Sequence, residues 1–141
     1  MNNLIDWLPK NLPSEKRTGI VHGDYSLTNV MIGKNDPNVI AILDWELSTL
    51  GDPCADFNYH CLQYTMNPKL ADKAYCKNQG IPVIDDYVKM YTEKINIDLT
   101  EEWDLYSAYN LFKLAGILQG ILGRVRAVSY THLRAHETRS D

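Results

Sequence analysis

The sequence predicts an α+β chain that is mostly helical and carries one small β-hairpin. Three observations predict it. Val39 to Leu43 is an almost uninterrupted β-type run, separated from Val30-Met31-Ile32 by Gly33 to Asn38, a segment dense in turn formers. Asp52-Pro53 reads as a helix start, with Asp52 as N-cap and Pro53 at the first helical position. Trp103, Tyr106, Leu111, Phe112, Ala115, Leu118 and Leu122 form the apolar stripe of a long final helix.

In chain order, residues 3–8 predict a short amphipathic helix through Leu4, Ile5, Trp7 and Leu8, ended by Pro9 and followed by a polar linker to Thr18. Gly19-Ile20-Val21 is a short strand leading into the polar loop His22 to Asn29, and Val30 to Ile32 is the strand beyond it. The Val39–Leu43 strand is expected to be buried, with Asp44-Trp45-Glu46 where it leaves the core, a position that favours function. CADFNYHCLQYT continues the helix from Pro53. Asn67-Pro68 and Gly80-Ile81-Pro82 mark loops, and Val88, Tyr91 and Ile95 predict a helix over 85–95. Thr100 is the expected N-cap of the last helix, which is expected to run to about Arg126. Gly116, Gly120 and Gly123 share one face of it; with no strand before them, close helix packing is preferred over phosphate binding.

With 141 residues, 45% hydrophobic and 23% charged, the chain is of one domain's length. A net charge of −4 provides no general reason to bind nucleic acid or an anionic membrane. Cys54, Cys61 and Cys76 form no Cys-x-x-Cys pair, so reduced cytosolic thiols buried as small apolar residues are expected. The N-terminus lacks the pattern of a secretory signal, and the apolar run Leu111 to Gly123 is interrupted by Lys113 and Gln119. A soluble, cytoplasmic protein follows.

The chemistry concentrates in His22-Gly23-Asp24-Tyr25-Ser26-Leu27-Thr28-Asn29, where an Asp precedes an Asn by five positions, the spacing of a kinase catalytic loop. Phosphoryl transfer needs a carboxylate to orient a hydroxyl and take its proton, and oxygen ligands to hold magnesium on nucleotide phosphates. Asp24, Asn29 and Asp44 are of those types. The hairpin between Asn29 and Asp44 turns the chain back, so it can set the second ligand beside the first.

HGDYSLTN, ILDWE and GDPCAD together resemble, in order and spacing, the aminoglycoside-phosphotransferase and choline-kinase superfamily. The likeness covers about residues 1–126. With LDWELSTLGDP and LFKLAGILQG, the chain is most similar to the branch found beside or fused to acyl-CoA dehydrogenases. The resemblance implies a protein-kinase-like fold, with Asp24 as catalytic base and Asn29 and Asp44 as Mg2+ and nucleotide ligands. It also implies that His22 and Gly23 shape the loop, and that Asp56 receives hydrogen bonds from the loop's backbone. Glu46 is open between a supporting group, a substrate contact and a solvated charge.

A whole enzyme of this kind also needs a small lobe with a glycine-rich loop and a strand lysine, and neither is in the sequence. The expectation is therefore a C-terminal lobe, Met1 being an internal start, from a parent that transfers the γ-phosphate of ATP, or less often GTP, to a small-molecule hydroxyl. The dehydrogenase-associated branch favours a hydroxyacyl-CoA acceptor; aminoglycoside-, choline- and homoserine-like alcohols stay open. The isolated chain is expected to be inactive, and the competing class is a degenerate kinase lobe serving as a binding or scaffold module.

Other features take plainer readings. Tyr59, His60, Tyr64, Tyr106 and Tyr109 are assigned to packing. Asp85, Asp86, Glu101, Glu102 and Asp104 are read as helix-dipole partners. His132 and His136 have a metal-like spacing, but residues 127–141 resemble translated sequencing-adapter DNA and are set apart as a non-native tail.

Overall fold

A computed structural model describes residues 2–12 and 17–137, with side chains placed for 3–12 and 17–125. Residues 13–16 of the linker and 138–141 of the tail lie outside the described residues, as do the side chains of 126–137, including His132 and His136. The helices are α1 Asn2–Trp7, α2 Cys54–Met66, α3 Pro68–Ala71, α4 Lys73–Asn78, α5 Ile84–Ile95 and α6 Trp103–Glu137. The strands are β1 Gly19–Val21, β2 Val30–Ile32, β3 Val39–Ile42 and β4 Thr49–Gly51, and the class is the expected mixture of many helices and little sheet.

The strands make two antiparallel pairs. The β2–β3 hairpin sets Val30 opposite Ile42 and Met31 opposite Ala41, with a register shift between Met31 and Ile32. The second pair joins β1 to β4, Ile20 opposite Leu50, and β4 has no counterpart among the expected strands. Thr49-Leu50-Gly51 is too short for a period-2 pattern, so only the distant partner makes it a strand.

Asp52 accepts the Cys54 N–H at 3.0 Å, as expected of a capping residue, but helix α2 begins one residue later than anticipated, at Cys54, with Pro53 in the cap position. Its buried face presents Cys54, Phe57 and Cys61 to Leu99 and Tyr106, forming the core. Tyr91 of α5 stacks on Phe57, with ring centroids 3.7 Å apart and planes within 8°. All three cysteines are buried and unbridged, and burial pushes the Cys61 thiol up to about 12, which keeps it a protonated, inert packing group. The α2–α6 contact also has a polar part: Asn110 Nδ2 donates to the Ala55 carbonyl and to Asn58 Oδ1 at 2.9 and 3.0 Å, and Asn58 Nδ2 donates to Ser107 Oγ at 3.0 Å. Both asparagines are fully buried, so this ladder satisfies groups whose burial would otherwise destabilise the fold.

Several expectations need correction. Asn67-Pro68 starts a helix instead of marking a loop, Asn67 Oδ1 accepting the Lys69 N–H at 3.1 Å, and Asp72 caps the unanticipated α4. Thr100 does not cap α6: its hydroxyl and amide donate to Asp98 Oδ1, and the Leu99 carbonyl accepts the Glu102 and Trp103 amides. The helix then continues to Glu137, past the Arg126 end.

Burial departs from pattern as well. In the expected buried strand, Val39 is 57% and Ile40 62% exposed; these neighbours point to opposite faces of the hairpin, and nothing among the described residues packs over either there. The α6 stripe is covered at Trp103, Tyr106, Phe112 and Ala115 but leaves Leu111, Leu118 and Leu122 exposed, and a Cβ added at Gly116, Gly120 or Gly123 would meet nothing within 4 Å. Close helix packing is therefore not what these glycines do among the described residues.

Candidate active site

The loop from His22 to Asn29 leaves β1, ends in a 3-10 turn over Leu27–Asn29, and is anchored from below by α2. Asp56, in the first turn of α2, accepts the His22 N–H at 2.5 Å on one carboxylate oxygen and the Gly23 N–H at 3.0 Å on the other. One side chain thus holds two consecutive peptide groups. Gly23 turns there with φ +84°, and a Cβ at that position would come within 2.5 Å of the Leu47 carbonyl oxygen. Only glycine combines that backbone conformation with that approach.

Leu43 ties the loop to the hairpin. Its N–H donates to the Asn29 carbonyl at 2.8 Å, and its carbonyl lies 2.8 Å from His22 Nε2. His22 Nδ1 accepts the Asp24 N–H at 3.2 Å; since a carbonyl can only accept, the ring proton sits on Nε2. The imidazole is 2% exposed and packs on Trp45, centroids 4.6 Å apart. Its work is positional, because both ring nitrogens are engaged by backbone.

Asp44 follows Leu43 in the left-handed region, φ 67° and ψ 54°, a conformation Asp tolerates better than most residues. The chain reverses there into the 3-10 turn Trp45–Leu47, pinned by Trp45 Nε1 donating to the Ile42 carbonyl at 2.8 Å. The Asp44 and Glu46 side chains are both exposed, and neither takes part in the hydrogen bonds that join His22, Gly23, Asp24, Asn29 and Asp56.

Asp24 is held on both carboxylate oxygens. Asn29 Nδ2 donates to Asp24 Oδ2 at 3.1 Å and to the Asp24 carbonyl at 2.9 Å, closing the five-residue loop on itself. Tyr59 Oη donates to Asp24 Oδ1 at 3.0 Å. Tyr59, assigned above to packing, therefore reaches the loop; it lies one helical turn beyond Asp56, so the signal was the shared face of α2. Lys113 of α6 also escaped the sequence reading. It donates to the Gly23 carbonyl and lies over the Tyr59 ring, 5.1 Å from its centroid.

A second charged cluster braces the scaffold. Arg17 Nε pairs with Asp52 at 3.0 Å, while the other end of the guanidinium contacts Glu102 Oε2 and, at 3.1 Å, Tyr106 Oη. Glu102 is 5% exposed, which corrects its reading as an ordinary helix-dipole acid. The cluster joins the segment before β1 to the start of α2 and to α6.

A sequence model of the phosphotransferase enzyme family matches residues 1–107, and the chain belongs to that family. Among solved structures it is similar to an aminoglycoside phosphotransferase-like protein from Ralstonia eutropha, at 43% identity and a TM-score of 0.77 over 88% of this chain and 39% of that one. The fold is kinase-like by this match. Among curated relatives it is 41% identical to acyl-CoA dehydrogenase family member 10 of Mus musculus and 36% identical to family member 11 of Homo sapiens, over 88% of this chain in both cases. It spans only 12% and 16% of those two proteins. No helix among the described residues is long and apolar enough to cross a membrane.

Proposed function

We propose that residues 1–126 form the larger, C-terminal lobe of an ATP-dependent small-molecule kinase, with Asp24 as the catalytic base. The observation that carries this reading is the fixed Asp24 carboxylate, held by Asn29 and Tyr59 on a loop whose backbone is bound by Asp56 and Leu43. In this reading Asp24 orients the acceptor hydroxyl and takes its proton as that oxygen bonds to the γ-phosphorus and the bond to the β–γ bridging oxygen breaks, ADP leaving. The exposed apolar side chains of β2–β3, Met31, Ile32, Val39 and Ile40, suit coverage by a further lobe.

Magnesium fits the donors present. Asn29 donates through Nδ2, so its Oδ1 is the atom a cation would take, and Asp44 adds an exposed carboxylate on the residue after Leu43. On a nucleotide, magnesium takes one or two protein oxygens and otherwise phosphate and water, a demand that the Asn29 and Asp44 oxygens would meet. When bound, it would neutralise charge on the transferring phosphates. His22 and Gly23 would shape the loop, and Glu46 is the least constrained of the supporting residues.

The acceptor we favour is a hydroxyacyl-CoA, supported by similarity to proteins named as acyl-CoA dehydrogenase family members. The test is a phosphorylation screen of the full-length protein with Mg-ATP and a panel of alcohols, including hydroxyacyl-CoAs, aminoglycosides and choline. Product formation that falls at least about 100-fold in Asp24→Asn is expected. Absence of any Asp24-dependent product overturns the proposal.

A further inference from the structure

We propose that Tyr59 is a positioning residue for Asp24, itself held in place by Lys113, so that α2 and α6 together set the orientation of the base. This rests on the reading of Asp24 given above. A base is productive only when one carboxylate lone pair points at the incoming hydroxyl, and an aspartate on a loop has two side-chain torsions with which to miss. Asn29 restrains one oxygen from within the loop, but it moves with the loop. Tyr59 restrains the other from a helix whose neighbouring positions, Phe57 and Asn58, are buried, so its 3.0 Å bond refers Asp24 to the rigid core. An ionised carboxylate has about four lone-pair sites. Two donors therefore fix its orientation and still leave acceptor capacity for a substrate proton.

Lys113 supplies the second half of the device. Its ammonium lies over the Tyr59 ring and donates to the Gly23 carbonyl, the peptide group immediately before Asp24. One side chain of α6 thereby touches both the residue that orients the base and the backbone that carries it. Burial, and then the bond to Asp24, pushes the Tyr59 phenol up to about 12, so it remains a protonated donor throughout the neutral pH range. A packing tyrosine needs neither contact.

The experiment measures inorganic phosphate release by the full-length protein from Mg-ATP, with water as acceptor, for Tyr59→Phe, Lys113→Met, Asp24→Asn and Tyr64→Phe. Tyr59→Phe keeps the ring beneath Lys113 and removes one oxygen; we expect kcat to fall about 10- to 100-fold with the KM for ATP within about twofold. Lys113→Met should lower kcat at least about threefold at unchanged KM. Tyr64 sits on the same helix but donates to the Pro82 carbonyl at 2.9 Å, so Tyr64→Phe should stay within about twofold of the parent. Activity retained by Asp24→Asn overturns the kinase reading itself. Asp24→Asn inactive with Tyr59→Phe at parental kcat overturns the positioning role alone. Should Tyr59→Phe fail to fold, Lys113→Met decides: an unchanged kcat there overturns the proposal.

Discussion

The His22 imidazole bridges Leu43 and Asp24, its Nε2 lying 2.8 Å from the Leu43 carbonyl and its Nδ1 accepting the Asp24 N–H at 3.2 Å. One buried ring thus spaces the strand end that precedes Asp44 from the loop residue proposed as the base. The expected cost of His22→Ala is about 2–3 kcal/mol, from two backbone groups losing their partner and from the void beside Trp45. Urea denaturation of parent and variant measures it; a loss below about 0.5 kcal/mol would mean that water replaces the ring without consequence.

Asp56 binds two amides with two oxygens, which an amide side chain cannot imitate. In Asp56→Asn one of the His22 and Gly23 N–H groups faces a donor instead of an acceptor. We expect about 1–3 kcal/mol of destabilisation and faster hydrogen exchange at one of these two amides, with the α2 amides Cys61 and Leu62 little changed. Uniformly faster exchange through α2 would point to a helix-wide role for the carboxylate.

Backbone strain separates Gly23 from Asp44. Gly23→Ala adds a Cβ both to a positive φ and against the Leu47 carbonyl, so a loss of at least about 2 kcal/mol is expected. Asp44 already bears the left-handed conformation with a side chain, at φ 67°. Asp44→Gly should therefore leave stability unchanged or raise it by up to about 1 kcal/mol, while removing the proposed magnesium ligand and the Mg-ATP-dependent activity. Thermal melts and phosphate release on the same samples test both halves.

The pH dependence has two limbs of opposite origin. Burial by itself would raise the Asp52 carboxyl, but hydrogen bonds from Tyr106, the Cys54 amide and Arg17 hold it below its ordinary value. Its contribution is present above the unfolded value of about 4 and is lost as pH falls through the lower folded value. Tyr59 is pushed up to about 12, by burial first, so its contribution is complete below the unfolded value of about 10 and is lost as pH rises through the folded one. Urea midpoints should fall below pH 4 and again above pH 10. Asp52→Asn should flatten the acid limb. Tyr59→Phe should make the alkaline limb shallower without removing it, since burial pushes Tyr91 up to about 12 as well.

The parts legible in the sequence were those that local chemistry decides. The five-residue spacing of Asp24 and Asn29 closes a loop by a hydrogen bond within that loop. The turn formers from Gly33 to Asn38 impose the hairpin that brings Leu43 to Asn29, and Asp52-Pro53 starts a helix that places Asp56 one turn in. Short-range steric and capping preferences suffice for each.

Tertiary structure alone decided what those parts meet. Lys113 reaches Gly23 across 90 positions and Arg17 reaches Glu102 across 85, distances over which no periodicity carries information. The same holds for β4, which is a strand only because β1 lies beside it. Hydrophobic pattern marked Val39, Ile40 and the far half of α6 as faces suited to cover, yet whether anything lies over them is a property of the packed layers. Tyr59 shows both sides: helical period places it on the Asp56 face, and only the folding of loop onto helix brings its hydroxyl to Asp24.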